Sequence, residues 1–127
     1  LWLHANLDEA THEWLRHEFG KIPMSAYHQL AVSAKAGQLV SVARAGGLPE
    51  RFADASPRTQ ARFVLVTGEQ NRTFLPAGQR ATHQWLSGHR PGLDSLYVLP
   101  GYSHGDIFIG RRAHLDVFPL LLEELGR

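Results

Sequence analysis

The feature that most constrains the fold is the order strand, helix, strand, helix in the second half of the sequence. The run ARFVLVTG at 61–68 is apolar, rich in valine and ended by a glycine, which is typical of a strand buried on both faces. A helical pattern begins at Pro76, a second strand pattern occupies DSLYVLPG at 94–101, and RRAHLDVFPLLLEELG at 111–126 reads as a terminal helix. This order predicts an α/β protein with two parallel strands joined by a right-handed crossover.

The proline inside the terminal helix pattern limits where that helix can start. An interior proline removes a hydrogen bond and clashes with the preceding turn, but it is tolerated in the first turn. Asp116 is a good N-cap residue, and counting from it puts Pro119 in that first turn. We therefore expect the main terminal helix to start near Asp116, after a separate short turn at 111–114.

The first half of the chain has helical patterns rather than strand patterns. An amphipathic helix is predicted at NLDEATHEWLRHEFGK, residues 6–21, and a second at PMSAYHQLAVSAKAG, residues 23–37. In the second helix Ser25 can cap the start and Gly37 can end it, and an apolar stripe recurs at helical spacing at Tyr27, Leu30, Ala31 and Ala34. Residues 43–60 have the composition of a loop, so the predicted division is a helical segment with its loop at 1–60 and a β-α-β-α unit at 61–127.

Composition excludes several classes of function. Thirteen basic and twelve acidic residues give a formal charge of +1, too balanced for a nucleic-acid partner. The absence of cysteine excludes a thiolate nucleophile and suits a cytoplasmic location, and no apolar run is long enough for a transmembrane segment. The eight histidines show no zinc-helix spacing and the glycines no phosphate-binding loop, so we expect no metal or cofactor in this segment.

A short motif near the second strand offers two candidates for chemistry. The residues at 101–105, GYSHG, match the G-x-S-x-G pattern of a serine nucleophile, which needs a helix directly after the serine. The bulky residues of GDIFIGRR at 105–112 predict no immediate helix, and the last strand of a hydrolase sheet normally carries the histidine. We therefore favour His104 over Ser103, with His104 acting first as general base and then as general acid.

The same residues carry a resemblance to a known family. The stretches FVLVTGEQNRTFLPAGQRATHQWL at 63–86 and LYVLPGYSHGDIFIGRRAHLDVFPLLLEELG at 96–126 resemble the C-terminal part of α/β-hydrolases. The likeness is closest to the hydrolase-like region attached to bacterial oxidoreductases of the glucose-methanol-choline family, some of them described as cholesterol oxidases. The loop GYSHGDIFIG is also similar to the histidine-aspartate-aromatic loop of acid lipases, and the first helices weakly resemble a cap over the site.

The resemblance implies roles for individual residues. His104 matches the catalytic histidine, Asp106 the acidic residue that follows it, and Asn71 the position of the catalytic aspartate. An asparagine cannot hold an imidazolium by charge, although it could orient a neutral ring. Glu69, Asp94 or Asp106 could supply the missing carboxylate, and the sequence leaves these alternatives open.

The resemblance also implies what the chain works with. No other G-x-S-x-G occurs, so we expect a C-terminal portion that is inactive alone, with the nucleophile supplied by a missing N-terminal hydrolase half and an apolar ester as substrate. An alternative is a non-catalytic hydrolase-like region of a flavin-dependent glucose-methanol-choline oxidoreductase, with FAD bound elsewhere and Asn71 marking the lost acid. A small interaction domain is a third possibility.

Overall fold

The structure, a computed structural model, describes residues 1–42 and 47–127. The first four residues of the predicted loop, 43–46, lie outside this description. The described elements, apart from short 3₁₀ turns at His4–Asn6 and Phe52–Asp54, are α1 (Glu9–Glu18), α2 (Met24–Ala36), β1 (Val64–Gly68), α3 (Pro76–His89), β2 (Ser95–Leu99), α4 (Asp106–Ile109), α5 (Ala113–Asp116) and α6 (Phe118–Leu125).

The chain forms two compact units that do not follow the predicted division. The first unit combines Leu1–Glu18 with Thr59–Arg127, and the second consists of Phe19–Arg58. The predicted boundary near residue 60 is close to the observed return to the first unit at Thr59. Helix α1, however, groups with the strands rather than with α2, so the helical segment predicted at 1–60 is split between the two units.

The first unit contains a two-stranded parallel sheet. Val64 pairs with Ser95 at one end and Gly68 pairs with Leu99 at the other. Helix α3 connects the two strands and begins at Pro76, which confirms the predicted parallel pair and the predicted start of that helix. The strands are less buried than expected, because Thr67 and Gly68 are their only buried residues. The chain is therefore a mixed helix and strand protein with a small parallel sheet, compatible with the predicted α/β class.

The buried apolar cluster of this unit lies in the segments that follow β2. Tyr102, Ile107, Ala113 and Val117 form it, and two partly buried leucines pack against them, Leu99 and Leu121. Tyr102 and Ile107 flank the residues of the predicted site on both sides in the sequence. The core thereby anchors the loop that carries Ser103 and His104.

The start of the terminal helix differs from the prediction in one respect. Pro119 lies in the first turn of α6, as expected, but the residue at the N-cap position is Val117, which makes no side-chain capping bond. Asp116 instead ends α5 and accepts hydrogen bonds from Arg112 and, at 2.8 Å, from the Tyr102 hydroxyl. The bond from Arg112, and then that from Tyr102, lowers the pKa of Asp116. The carboxylate therefore ties the terminal segment to the core instead of capping the helix.

A buried carboxylate also holds the end of α6 to the sheet. Glu124 accepts hydrogen bonds from the Tyr97 hydroxyl on β2 and from the Arg62 guanidinium just before β1. The bond from Tyr97 is the largest cause that lowers the pKa of Glu124, and the same bond raises the pKa of Tyr97. Because the charged form of Glu124 receives these donors, the packing of α6 depends on its ionisation.

The second unit is built around α2, which ends as predicted but begins differently. Gly37 adopts a left-handed conformation at the C-terminus, with φ of 68°, and stops the helix. The residue at the N-cap position is Pro23 rather than Ser25, and no side chain caps this end, so the predicted Ser25 cap is wrong. Val40 forms an isolated antiparallel bridge with Arg51 beyond the helix.

Polar side chains attach α2 to the rest of its unit. The Gln29 carboxamide donates to the Val40 carbonyl at 2.5 Å and accepts from the Val42 amide at 3.3 Å. The hydroxyl of Ser33 accepts from Gln29 and from the Val40 amide. No residue of α2 is buried. The hydrogen bonds of Gln29 and Ser33 therefore help to hold the helix to residues 40–42.

Candidate functional site

The carboxyl ends of the two parallel strands meet at one edge of the sheet, where α/β proteins commonly build their sites. The segment after β1 bonds directly to the segment after β2, because the Glu69 amide donates to the Leu99 carbonyl at 2.8 Å and the Gln70 amide to the Tyr102 carbonyl at 2.9 Å. Gly68 permits this approach. A Cβ atom there would lie 2.1 Å from the Ser103 carbonyl oxygen.

This arrangement brings His104 and Asn71 together. Nδ1 of His104 lies 3.3 Å from Nδ2 of Asn71, so the two residues predicted from opposite loops are hydrogen-bonded partners. Asn71 is only 4% exposed and also donates its backbone amide to the Gly68 carbonyl at 3.1 Å. The ring of Phe74 packs against the imidazole with centroids 5.1 Å apart. The loop after β1 therefore contacts the imidazole through both residues.

The hydrogen bonds of Asn71 fix the orientation of its carboxamide. Oδ1 accepts from the backbone amides of Thr73 and Phe74, both at 3.0 Å. Nδ2 lies 3.3 Å from Oγ1 of Thr67 and 3.3 Å from the imidazole. A flipped amide would place NH₂ against two backbone N–H groups, so this bonding assigns the nitrogen to the side of His104.

The donor from Asn71 determines the tautomer of neutral His104. Nδ1 must carry the lone pair that accepts this bond, and the proton therefore resides on Nε2. In a serine-histidine-aspartate site the reverse holds, because the carboxylate accepts from Nδ1–H and leaves a lone pair on Nε2. Nε2 of His104 makes no hydrogen bond within the described residues, and it is not fully buried, since Nε of Arg90 is the sole fully buried side-chain polar atom without a partner among them.

Ser103 has a helical turn behind it but lacks a base. Helix α4 follows at Asp106–Ile109, so the prediction that no helix comes directly after this serine is wrong, although α4 is a single turn. The Ser103 side chain is buried, and its Oγ lies 3.4 Å from the Gln70 carbonyl oxygen. Within the described part of the chain, Oγ makes no hydrogen bond to His104. The geometry offers no activation of this hydroxyl.

Asp106 stabilises the loop rather than contacting the imidazole. Its side chain is fully buried, and Oδ1 accepts from the Ser103 amide at 2.9 Å. Oδ2 accepts from Nδ2 of Asn6 at 2.6 Å and from the Leu3 amide at 3.4 Å. All the hydrogen bonds that the structure describes for this carboxylate go to those groups. Asp106 thus clamps the first residues of the chain onto the loop that carries His104.

The other two candidate carboxylates lie elsewhere. Asp94 precedes β2, at the opposite edge of the sheet from His104, and its oxygens accept from Arg90 at 2.7 and 2.8 Å and from the Phe63 amide at 2.8 Å. Glu69 is exposed on the loop after β1. Among the described residues, neither carboxylate is hydrogen-bonded to His104, whose partner is Asn71.

An open cleft of about 670 Å³ lies beside the two loops. Its apolar wall is formed by Leu1, Trp2, Leu3, Leu75 and Pro76, and its polar lining by Glu69, Gln70, Asn71, Arg72 and Ser103. The Leu1 carbonyl accepts from the backbone amides of His104 and Gly105 at 3.1 and 2.8 Å. The first residues of the chain therefore form one side of the cleft and are bonded to the histidine loop.

The contribution of two residues to this site could not be predicted from the sequence. Asn6 donates to Asp106 and, at 2.8 Å, to the Gly101 carbonyl, yet in the sequence it precedes a helix like any polar residue. Thr67 lies within an apolar strand run, where its hydroxyl would be taken as a packing group, but it contacts the Asn71 carboxamide. No local pattern identifies either residue, because both act through contacts with distant segments.

The described residues contain no group of three or more histidine or acidic side chains placed to hold a metal ion. None of their helices has the length and apolar character needed to cross a membrane. No known family model, curated protein or solved structure matches the chain.

Proposed function

We propose that the first unit is the closing part of an α/β-hydrolase-type site in which His104 donates a hydrogen bond, rather than removing a proton. Its Nε2–H would bind an oxygen atom of a small molecule. The donor role fits the non-catalytic alternative that the resemblance implies, a hydrolase-like region of a flavin-dependent oxidoreductase, and the remaining hydrolase half or a fused domain would complete the sheet. The observation that carries the proposal is the carboxamide of Asn71, whose oxygen already accepts two backbone amides and whose nitrogen faces Nδ1.

The physical reason is the free energy of the other tautomer. A general base at Nε2 needs the proton on Nδ1, where it would point at the N–H group of Asn71. That exchange loses one hydrogen bond and leaves two buried donors facing each other, which costs about 1 to 3 kcal/mol. The base-competent tautomer would then make up roughly one sixth to less than one hundredth of the neutral histidine.

Ester hydrolysis is a second candidate function, favoured by a different observation. His104 and Asn71 follow the two parallel strands at the carboxyl edge, and one wall of the adjacent cleft is apolar. In that case another stretch of polypeptide supplies the nucleophile and the substrate is an apolar ester. His104 would act as general base through its minor tautomer. When the chain is joined to the polypeptide that supplies the nucleophile, hydrolysis of a short p-nitrophenyl ester would disappear in His104→Ala.

The test compares the tautomers of His104 in the full chain and in Asn71→Asp. Aspartate keeps an oxygen for the Thr73 and Phe74 amides and places a second oxygen where Nδ2 was. Nitrogen-15 chemical shifts of the imidazole, measured at roughly pH 9 where histidine is normally neutral, should show Nε2–H in the wild type and Nδ1–H in the variant.

Glu69→Gln is the matched control, since this exposed residue shares the loop but makes no described bond to the imidazole. Its spectrum should resemble that of the wild type. A wild-type ring with the proton on Nδ1 would overturn the donor role and leave the general-base role as the better account.

A further inference from the structure

Two oppositely charged side chains, Glu69 and Arg72, line the cleft at the carboxyl edge of the sheet. Both are exposed, and neither makes an ion pair or a side-chain hydrogen bond within the described residues. The pair Glu13–Arg16 has the same spacing in the sequence, yet its charged atoms lie 2.8 Å apart. The polar lining of the cleft therefore presents one unpaired negative charge and one unpaired positive charge.

The backbone that carries these two charges is fixed on both sides. The Glu69 amide donates to the Leu99 carbonyl at 2.8 Å. Oδ1 of Asn71 accepts from the Thr73 amide at 3.0 Å, which closes the turn that contains Arg72. A backbone that is already ordered reduces the entropy lost when its side chains bind a ligand.

The apolar wall of the same cleft is uncovered. Leu1 and Leu75 lie in this wall and are 57% and 61% exposed, and Trp2 and Pro76 are partly buried in it. Contact with such a wall favours a ligand that removes apolar surface of its own from water. The cleft thus combines an acid, a base and an apolar surface, each with room for a partner.

We propose that the cleft binds a small zwitterion with an apolar side chain, which is the chemistry of an apolar amino acid or a short apolar peptide. Its ammonium group lies at the Glu69 carboxylate, its carboxylate at the Arg72 guanidinium, and its side chain against Leu75. Arginine suits a carboxylate because the planar guanidinium can donate two parallel hydrogen bonds. An apolar carboxylic acid without an ammonium group would meet the like charge of Glu69, and an apolar amine that of Arg72.

The size and position of the cleft agree with such a ligand. Its volume of about 670 Å³ lies in the range of sites that take drug-sized molecules, so a dipeptide has room as well as a single amino acid. Ligands of open α/β sheets commonly bind at the carboxyl ends of the strands. The inference rests on the binding role proposed for this edge of the sheet and names the class of small molecule bound there.

The experiment titrates the full chain with L-leucine and its analogues at about pH 7, where leucine is a zwitterion, and follows the backbone amide signals by NMR. Leucine should shift the signals of residues 69–72. Leucinamide lacks the carboxylate and N-acetyl-leucine lacks the ammonium group, so each should bind about fivefold more weakly. Glycine lacks the apolar side chain and should bind roughly tenfold more weakly. A peptide site would bind leucyl-leucine more tightly than leucine, and an amino-acid site would not.

Two variants match each charge to one analogue. Arg72→Gln should weaken binding of leucine about fivefold and leave that of leucinamide unchanged. Glu69→Gln should weaken binding of leucine by the same factor and leave that of N-acetyl-leucine unchanged. Arg80→Gln is the matched control, because Arg80 is exposed on α3 of the same unit and does not line the cleft. Its affinity for leucine should equal that of the wild type, and thermal unfolding should show that all variants are folded.

Three results would overturn the proposal. Neither leucine nor leucyl-leucine shifts the signals of residues 69–72, both analogues that lack a charge bind as tightly as leucine, or Arg72→Gln and Arg80→Gln bind leucine equally. The tautomer of His104 is measured without ligand, so the two proposals fail separately. A wild-type ring with Nε2–H in a protein that binds no zwitterion refutes the ligand class alone, whereas zwitterion binding with Nδ1–H refutes the donor role alone.

Discussion

Replacing Gly68 by alanine tests the close approach on which the site is built. Gly68 ends β1, and the backbone of Tyr102 and Ser103 passes directly over it. A Cβ atom would lie 2.1 Å from the Ser103 carbonyl oxygen and 2.3 Å from that of Tyr102. Both contacts are with backbone atoms, so no side chain can rotate to make room. The loop that carries His104 must move.

The contacts indicate the size of the effect. Overpacking alone costs about 1 to 3 kcal/mol, and more where backbone has to shift. Moving the loop also weakens the bond from the Gln70 amide to the Tyr102 carbonyl, worth about 1 kcal/mol. We therefore expect Gly68→Ala to reduce the free energy of unfolding by about 3 kcal/mol.

Urea denaturation followed by circular dichroism measures this loss. With a slope of about 2 kcal/mol per molar urea, the midpoint should fall by roughly 1.5 M. Gly78→Ala is the control, since Gly78 lies in α3 with no atom near its missing side chain, and the change should be neutral or stabilising. A loss below about 1 kcal/mol for Gly68→Ala would refute the described contact between the two loops.

Two further predictions concern buried carboxylates. Asp94→Asn should reduce the free energy of unfolding, measured in urea, by about 3 kcal/mol, because it leaves the guanidinium of Arg90 buried without a counter-ion. The control is Asp54→Asn in the exposed pair Arg51–Asp54, which should lower that free energy by less than about 0.5 kcal/mol. The folded-state pKa of Glu124 is lowered by its hydrogen bonds, so its stabilising contribution is present above the unfolded pKa and is lost as pH falls through the folded one. The thermal unfolding temperature of Glu124→Gln should therefore depend less on pH in the acidic range than that of the wild type. The control Glu123→Gln, at an exposed site, should behave like the wild type, and equal pH dependence in all three proteins would contradict the role of Glu124.

The elements of the first unit follow from local patterns. The valine-rich run and the proline-started helix predict β1 and α3, and spacing alone predicts the parallel pair. The placement of α1 could not be predicted, because it depends on bonds between residues about one hundred positions apart, such as Asn6 with Asp106. The orientation of α2 was also missed. The sequence predicts its apolar stripe but not which side packs inward, and the bonds of Gln29 set the opposite side inward.

The sequence identifies the site residues better than their roles. Position at the ends of two parallel strands brings His104 and Asn71 together, as the resemblance implies. Which atom of Asn71 faces the ring depends on where the amides of Thr73 and Phe74 point, and sequence spacing does not contain that information. Asp106 was a candidate acid because of its proximity in sequence to His104, but proximity along a turn does not imply contact between side chains.

The discontinuous first unit has a consequence for biosynthesis. Residues 1–18 are translated before Phe19–Arg58, yet their partners at Gly101, Asp106 and Arg111 follow some eighty residues later. The bonds from the N-terminal segment to those three residues can therefore form only after that stretch of chain has been made. Docking of that segment closes one side of the cleft, so the cleft is completed only after the loop that follows β2 has been synthesised.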